Sequence, residues 1–498
     1  MSIGYENIFR FPPYTDSWRA MTGDWPDAPW RDRRKVHTPW RGRLTSRAGY
    51  WIVALALLMT MATSTIPTPL YVLYQQRDHF TSLVVSVVFA VYAAGVIASL
   101  FLVGHVSDWL GRRRVLVTGL FMNVASTFVF IVAPGLTGLI VGRVISGFSV
   151  GLTTATATAY LAELHVRAHP DANRRRAQTV AIAVNLGGIG FGPLVAGLLA
   201  QFAPAPLVLP YVVVGVVLVV LATLVIATPE TIEEPESRTR WHAQRIVVPV
   251  NARRQFFAAC LAGLSAFAVY GVFSSLVPRF LAETMGITSH ALAGLVAFAV
   301  FGSGALAQMA LSSLKSTTLL RTGSPTLLVG LALLVTGIWS AALAIFVIGT
   351  VVTGVGTGLI FRGAMSTVSE SAPSGSSAEA LAGFFLSAYV GLSVPVVVLG
   401  LASGHVSTRV LMLVFGLAVA LATTLSVRSV VRGDAKAPAH TGSAALESPV
   451  PWPTNLGSGA RPSVAHTGRE THRTMTRRVA SDAFASRGSQ HKEDQDVH

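Results

Sequence analysis

Charged side chains are scarce through the middle of this sequence, and the few that stand there carry what chemistry it can do. From Gly104 to Arg114 the chain reads GHVSDWLGRRR, one carboxylate, Asp108, followed by Arg112, Arg113 and Arg114. A carboxylate at a helix start faces the positive end of the dipole and accepts backbone N–H bonds, so Asp108 is a candidate for a contact made there. Arg143 stands alone in IVGRVISGFSVG, with Gly147 and Gly151 after it on the same helical face. A charge inside a membrane is costly and is a functional candidate by default, the plain alternative being a snorkelling or structurally bonded arginine. A third stretch, NLGGIGFGPLVAG, sets small residues Gly188, Gly192 and Gly197 around Pro193, which cannot donate to a helix ladder. Gly188 and Gly192 make a face for close helix packing.

No enzyme constellation is visible. There is no Walker loop, the glycine-rich runs lie inside apolar stretches, and His105 has no companion at metal-ligand spacing. Neither cofactor nor metal is expected.

Across the chain, 52% of the 498 residues are hydrophobic and 12% charged, against roughly a quarter charged in a soluble domain. The chain is therefore expected to be an all-α polytopic membrane protein. Its formal charge of +15 could suggest nucleic acid, but half of the Lys and Arg lie in two polar tails and most of the rest in alternate short loops. That is the positive-inside pattern of a membrane protein, not a nucleic-acid surface. The single cysteine, Cys260, sits in an apolar run and forms no internal disulfide.

Twelve apolar segments are expected as spans, at 50–74, 82–104, 115–133, 136–162, 177–200, 208–227, 256–278, 291–313, 324–340, 342–364, 379–402 and 406–427, each near the roughly 20 residues that cross a bilayer as a helix. The ninth and tenth are divided on combined length alone. Residues 1–49 and 428–498 read as disordered cytosolic tails, 50–227 and 256–427 as two six-helix bundles, and 228–255 as a cytosolic linker. Loops carrying Arg112–Arg114, Arg167, Arg174–Arg176, Arg238, Arg240, Arg245, Arg253, Arg254, Lys315 and Arg321 form one set, while the other has little more than Arg77, Arg279 and Arg409. The first set, and with it both termini, is expected in the cytosol.

GHVSDWLGRRR resembles the signature loop of the major facilitator superfamily, Gly-x-x-x-Asp-Arg/Lys-x-Gly-Arg-Arg, which joins the second and third membrane helices of those transporters. Gly104, Asp108, Gly111, Arg112 and Arg113 match, while Trp109 replaces the usual basic residue. A plain positive-inside loop with a chance Asp is the alternative. The resemblance covers residues 50–427 and implies two pseudo-symmetric bundles rocking about a midplane site. By that resemblance Asp108 would bridge to the start of the eleventh helix, where Ser376 and Glu379 fit a capping box, and the arginines would pair with Glu163. Arg143 with Gly147 resembles the family's fourth-helix motif, associated with proton coupling. The stretch from Gly188 resembles the antiporter motif of proton-exchanging exporters, with its final glycine pair missing; generic packing is the alternative. Setting Arg321 against Arg114 puts Lys315 where Asp108 should be, so the second half has lost the signature.

No Asp or Glu lies near the middle of any span, and the first offers only Thr60, Thr63, Ser64 and Thr65 before Pro67 and Pro69. A neutral or anionic substrate suits Arg143 better than a cation. Tyr92, Asn185, Tyr270, Phe298, Phe301 and Tyr389 lie on helices that line the family's central cavity, although each alone fits a packing role too. Pro395, beside Gly391 and Ser393, permits bending of the eleventh span. The expected function is proton-coupled export of a drug-like or amphiphilic molecule, by a monomer in the plasma or inner membrane. The proton gradient would be the energy source, and lipid, substrate and protons the only partners. The alternatives are a proton-coupled importer of a sugar, organic acid or other metabolite, and a membrane sensor or scaffold.

Overall fold

A computed structural model describes residues 43–104, 106–169, 175–232, 244, 246–249, 252–373 and 376–434. Expectations for most of both tails, for His105 and Arg174, and for Arg238, Arg240 and Arg245 in the linker fall outside the described residues.

A bilayer core holds no water, so every backbone N–H and C=O must find its partner within the protein, and a helix does this within one segment. The described residues are accordingly helical. The first half comprises α1 (Ser46–Thr65), α2 (Pro67–Asp78), α3 (Ser82–Val103), the single turn α4 (Ser107–Leu110), α5 (Arg112–Val132), α6 (Leu136–Ala168), α7 (Arg175–Phe202) and α8 (Leu209–Ile226). The second comprises α9 (Arg253–Ser275), α10 (Val277–Met285), α11 (His290–Ala310), α12 (Ser316–Trp339), α13 (Leu343–Ser371), α14 (Ser377–Ala402) and α15 (Thr408–Asp434). Twelve spans are long and apolar enough to cross a membrane, α1 and α2 together making the first. The ninth and tenth are separate, parted by a turn in which Ala341 takes a positive φ of 50°.

Several helices overrun the apolar segments that announced them. The first begins at Ser46, inside the expected tail, and the last runs to Asp434. The fourth and tenth spans extend to Ala168 and Ser371, and the ninth starts at Ser316 rather than 324. Hydropathy marks where the hydrocarbon ends; a helix continues into the interface as long as caps and partners satisfy its ends. Thr45 supplies such a cap, accepting from the Ala48 N–H at 3.2 Å.

The two halves repeat in packing where they do not repeat in sequence. In the first, α6 packs on α3 and α5, α1 packs on α6, α7 and α8, and α5 packs on α8. In the second, α13 packs on α11 and α12, α9 on α13, α14 and α15, and α12 on α15, which is the same set of pairings. The halves meet chiefly through α7 against α11 and α3 against α14, themselves an equivalent pair. Each half opens with a helix interrupted for one residue ahead of a proline, Pro67 in the first and Pro278 in the second, while the linking Ile66 and Leu276 N–H groups still bond four residues back, to Ala62 and Val272. The helix starts pair Ser316 with Arg112, so Lys315 stands at Gly111 and Ser312 at Asp108. The register that set Lys315 against Asp108 was three residues off, because the loop before α12 has a different length.

The small face of α7 packs against two neighbours. A β-carbon on Gly188 would fall on the Leu58 carbonyl oxygen of α1, and one on Gly192 on that of Ala62; at Gly197 the neighbour is the His290 carbonyl of α11. Pro193, inside α7, leaves the carbonyl of Ile189 without its ladder donor. The Thr65 hydroxyl of α1 donates to that oxygen at 2.8 Å. The proline on one helix is thus matched by a threonine on the next, which sequence reading had not connected. Gly192→Ala should cost about 1–3 kcal/mol by forcing α1 and α7 apart. Gly187→Ala, where a β-carbon meets nothing within 4 Å, should be neutral or slightly stabilising; thermal unfolding of both variants in detergent checks the contrast.

Candidate functional site

At the end of the molecule bearing GHVSDWLGRRR, the turn α4 places Asp108 in its first turn, and Gly111 separates it from α5. Gly111 has φ +93°, a region other residues rarely adopt, and a β-carbon there would meet Glu230 Oε2 at 2.7 Å. Glu230 explains the crowding. Its carboxylate accepts the backbone N–H groups of Arg112 and Arg113 at 3.0 and 3.1 Å, so it caps α5 from the far end of the first half. Asp108, expected at a helix start, does not cap α5; it pairs with Arg112 Nη1 at 2.6 Å and stays 60% exposed.

Arg112 is the centre of this cluster. It donates to Ser107 Oγ at 2.6 Å and pairs with Glu163 at 3.1 Å, as expected from the sequence. The Thr231 hydroxyl donates to the other oxygen of Glu163. Arg167 donates to the carbonyls of Glu230 and Thr231 at 2.7 and 2.6 Å, and Arg113 to those of Ile226 and Thr228 at 3.4 and 3.3 Å. Residues 228–231, read from the sequence as the beginning of a linker, are thereby fastened to α5 and α6. The signal that could have found Glu230 is its place: an acid three residues beyond the sixth span, on the same side as three arginines.

The expected capping box at the start of α14 does not form. Ser376 is the cap residue, but its hydroxyl donates to the Pro373 carbonyl at 3.0 Å and accepts no N–H from the helix. Its backbone, at φ −111° and ψ 12°, departs from the extended form that such a box needs. Asp108 has its ion pair within its own loop and not with α14.

Arg143 lies in the interior, 0% exposed, on α6. It donates to the Ser64 carbonyl and the Tyr71 hydroxyl, which flank the break between α1 and α2. Its charge sits 5.5 Å from the ring centres of Tyr71 and Tyr92 and 6.0 Å from that of Phe89. Gly147 and Gly151 do as expected: β-carbons there would fall on the Tyr92 carbonyl and on Ser99, so α3 lies against α6 and brings Phe89 and Tyr92 to the arginine. Tyr71 went unnoticed in the sequence because it follows two prolines at what looked like the end of the span.

The remaining candidates separate into two groups. Tyr270 stacks on Phe301 at 4.7 Å and lies edge-on to Phe267, which also meets Tyr389 at 5.5 Å. Phe361, Phe384 and Phe385 extend this aromatic cluster in the second half. The Tyr270 hydroxyl is buried and has no hydrogen-bond partner. Phe298 is half-buried against Gly190 of α7, and Asn185 is half-buried on α7. Tyr92 stands beside Arg143, on α3, which packs against α14, the helix of Tyr389.

A sequence model of the Major Facilitator Superfamily matches residues 52–337, from the first span through the ninth. The chain belongs to this superfamily. No curated protein matches it. As a facilitator protein it is a multi-pass membrane protein and a secondary transporter, placed in a bilayer and acting on a small-molecule substrate, in a family of transporters rather than enzymes.

Removing the Glu230 carboxylate tests the cap on α5. Glu230→Ala should lower stability by about 1 kcal/mol, and Glu230→Gln by less, since its side-chain oxygen still accepts one N–H; thermal unfolding in detergent ranks the two.

Proposed function

We propose that this facilitator protein exports a small amphiphilic organic molecule by alternating access, using the proton gradient, from the plasma or inner membrane. The observation that carries the reading is the buried Arg143 held beside the proline-interrupted first span, with the rings of Tyr71, Phe89 and Tyr92 around it. Proline-interrupted helices near the midplane suit a transport site. The buried Tyr270 hydroxyl and the Thr60 and Thr68 hydroxyls, all without protein partners, suit a site that water or substrate completes. Export is favoured by the small-residue and proline face of α7, and proton use by the likeness of Arg143 and Gly147 to the family's coupling motif.

The loop arginines put the Asp108 end in the cytosol, both termini with it. At the opposite end the halves are tightly joined. Gly400 of α14 lies against Ser82 and Ser86 of α3, Gly197 of α7 against Gly294 of α11, and the Gln201 side chain accepts the His290 N–H at 2.9 Å. The conformation is thus read as closed outside, with Asp108 free to engage α14 when the cytosolic end closes. The protein is taken to work as a monomer.

Two measurements test this. In everted vesicles holding a proton gradient, an amphiphile that is exported should collapse the gradient only when the protein is present. No response to any amphiphile, with uptake of a labelled organic acid into whole cells instead, would reverse the direction. Asp108→Asn should depress transport strongly while moving stability little, because an exposed i,i+4 ion pair is worth only about 0.3–0.5 kcal/mol. Unchanged turnover in that variant would remove the gate.

A further inference from the structure

Among the described residues, the charge on Arg143 has no counter-ion. Its acceptors, the Ser64 carbonyl and the Tyr71 hydroxyl, are both neutral. Ion pairs among the described residues join Arg77 to Asp78, Arg112 to Asp108 and Glu163, and Arg279 to Glu283, each at a helix end. Glu230, Glu370 and Glu379 also lie at the ends of spans. A buried cation left without an anion is expensive, and its usual remedies are a paired carboxylate or access to water. Neither operates on Arg143 in this conformation, where it is 0% exposed.

The guanidinium is also incompletely bonded. Its Nε is buried and has no hydrogen-bond partner. An arginine offers five N–H donors in a planar fork, and the edge formed by Nε and a terminal nitrogen matches the two oxygens of a carboxylate. One member of that edge is already vacant. The rings of Tyr71, Phe89 and Tyr92 surround the charge at 5.5–6.0 Å. They offset part of its desolvation by cation–π attraction and form an apolar collar. Tyr92 lies on α3, which packs on α14, the helix that carries Tyr389 of the aromatic cluster in the second half.

We infer that Arg143 receives the anionic head of the transported molecule, and that the substrate class is organic monoanions, aromatic or amphiphilic carboxylates, with the apolar body against the rings of both halves. The missing counter-ion is then supplied by the cargo. Cationic amphiphiles are disfavoured by the same charge. The inference rests on the transporter reading above and names the substrate of that site.

The test uses the purified full chain and matched pairs of probes, benzoate with benzamide and 1-naphthoate with 1-naphthamide. Acid and amide share shape and differ in charge. Binding is followed by tyrosine and tryptophan fluorescence and by thermal unfolding. Each acid should bind at least about tenfold more tightly than its amide, as expected for a charged hydrogen-bonded contact. That preference should vanish in Arg143→Gln and survive in part in Arg143→Lys. Equal binding of acids and amides, or a preference untouched by Arg143→Gln, overturns the inference.

A second comparison needs no ligand. Phe89 touches the charge by its ring alone, so Phe89→Glu offers a built-in counter-ion where Phe89→Gln offers the same shape without charge. The Glu variant should unfold at the higher temperature and lose the preference for acids. A Glu variant no more stable than the Gln variant overturns the inference, since the charge would then want no partner. Binding of acids through Arg143 without movement across vesicles would remove the transport reading alone, whereas transport without acid preference would remove this inference alone.

Discussion

Within a bilayer the backbone has no water to fall back on, and the rest of this structure follows from that constraint. Helices satisfy it along their length. Where a proline interrupts a helix, another group must take over, and the helices are arranged so that one does. The oxygen freed by Pro193 on α7 receives the Thr65 hydroxyl of α1. Arg143 of α6 reaches the same neighbourhood, donating to the Ser64 carbonyl and the Tyr71 hydroxyl, whereas the oxygens that Pro67 and Pro69 free are those of Thr63 and Thr65. The places where prolines interrupt a helix ladder are therefore also places where helices are tied together, and the buried charge is found beside one of them.

At the Asp108 end the governing force is different, because water is close and single ion pairs are weak. What holds there is a network of charge-assisted hydrogen bonds. Glu230 caps α5, Arg167 grips the backbone of Glu230 and Thr231, and Arg112 joins α5 to Glu163 on α6. The third, fourth and sixth spans are linked as one block by these contacts. Asp108 stands at the edge of the block, bonded within its own loop, with most of its carboxylate in solvent.

The second half keeps the packing of the first without its loop cluster of ion pairs. Where the first half sets Arg112 against Glu163, the second has Glu370 accepting from Ser316 at 2.8 Å and from Ser366 at 2.8 Å, and Arg362 donates to the Ser312 carbonyl at 3.0 Å. Close backbone approach at small residues, and not the sign of the loop charges, carries the repeated architecture. The charges mark the half in which the loop cluster and Arg143 lie.

The sequence by itself determined the class, the number of spans and the residues worth watching. Length and apolarity set twelve helices, and the isolation of Arg143 among apolar neighbours made it stand out, since both are local properties that a bilayer reads directly. It could also suggest the pair of Arg112 with Glu163, because opposite charges faced each other across one end of the membrane. Only the tertiary structure decided who else meets them. Glu230 caps a helix more than a hundred residues earlier in the chain; Thr65 serves a proline on another span; Tyr71, Phe89 and Tyr92 converge on one guanidinium from two elements. The predicted box at Ser376 failed for the same reason that these succeeded: a hydrogen bond depends on distance and angle, which the fold sets and residue type alone does not.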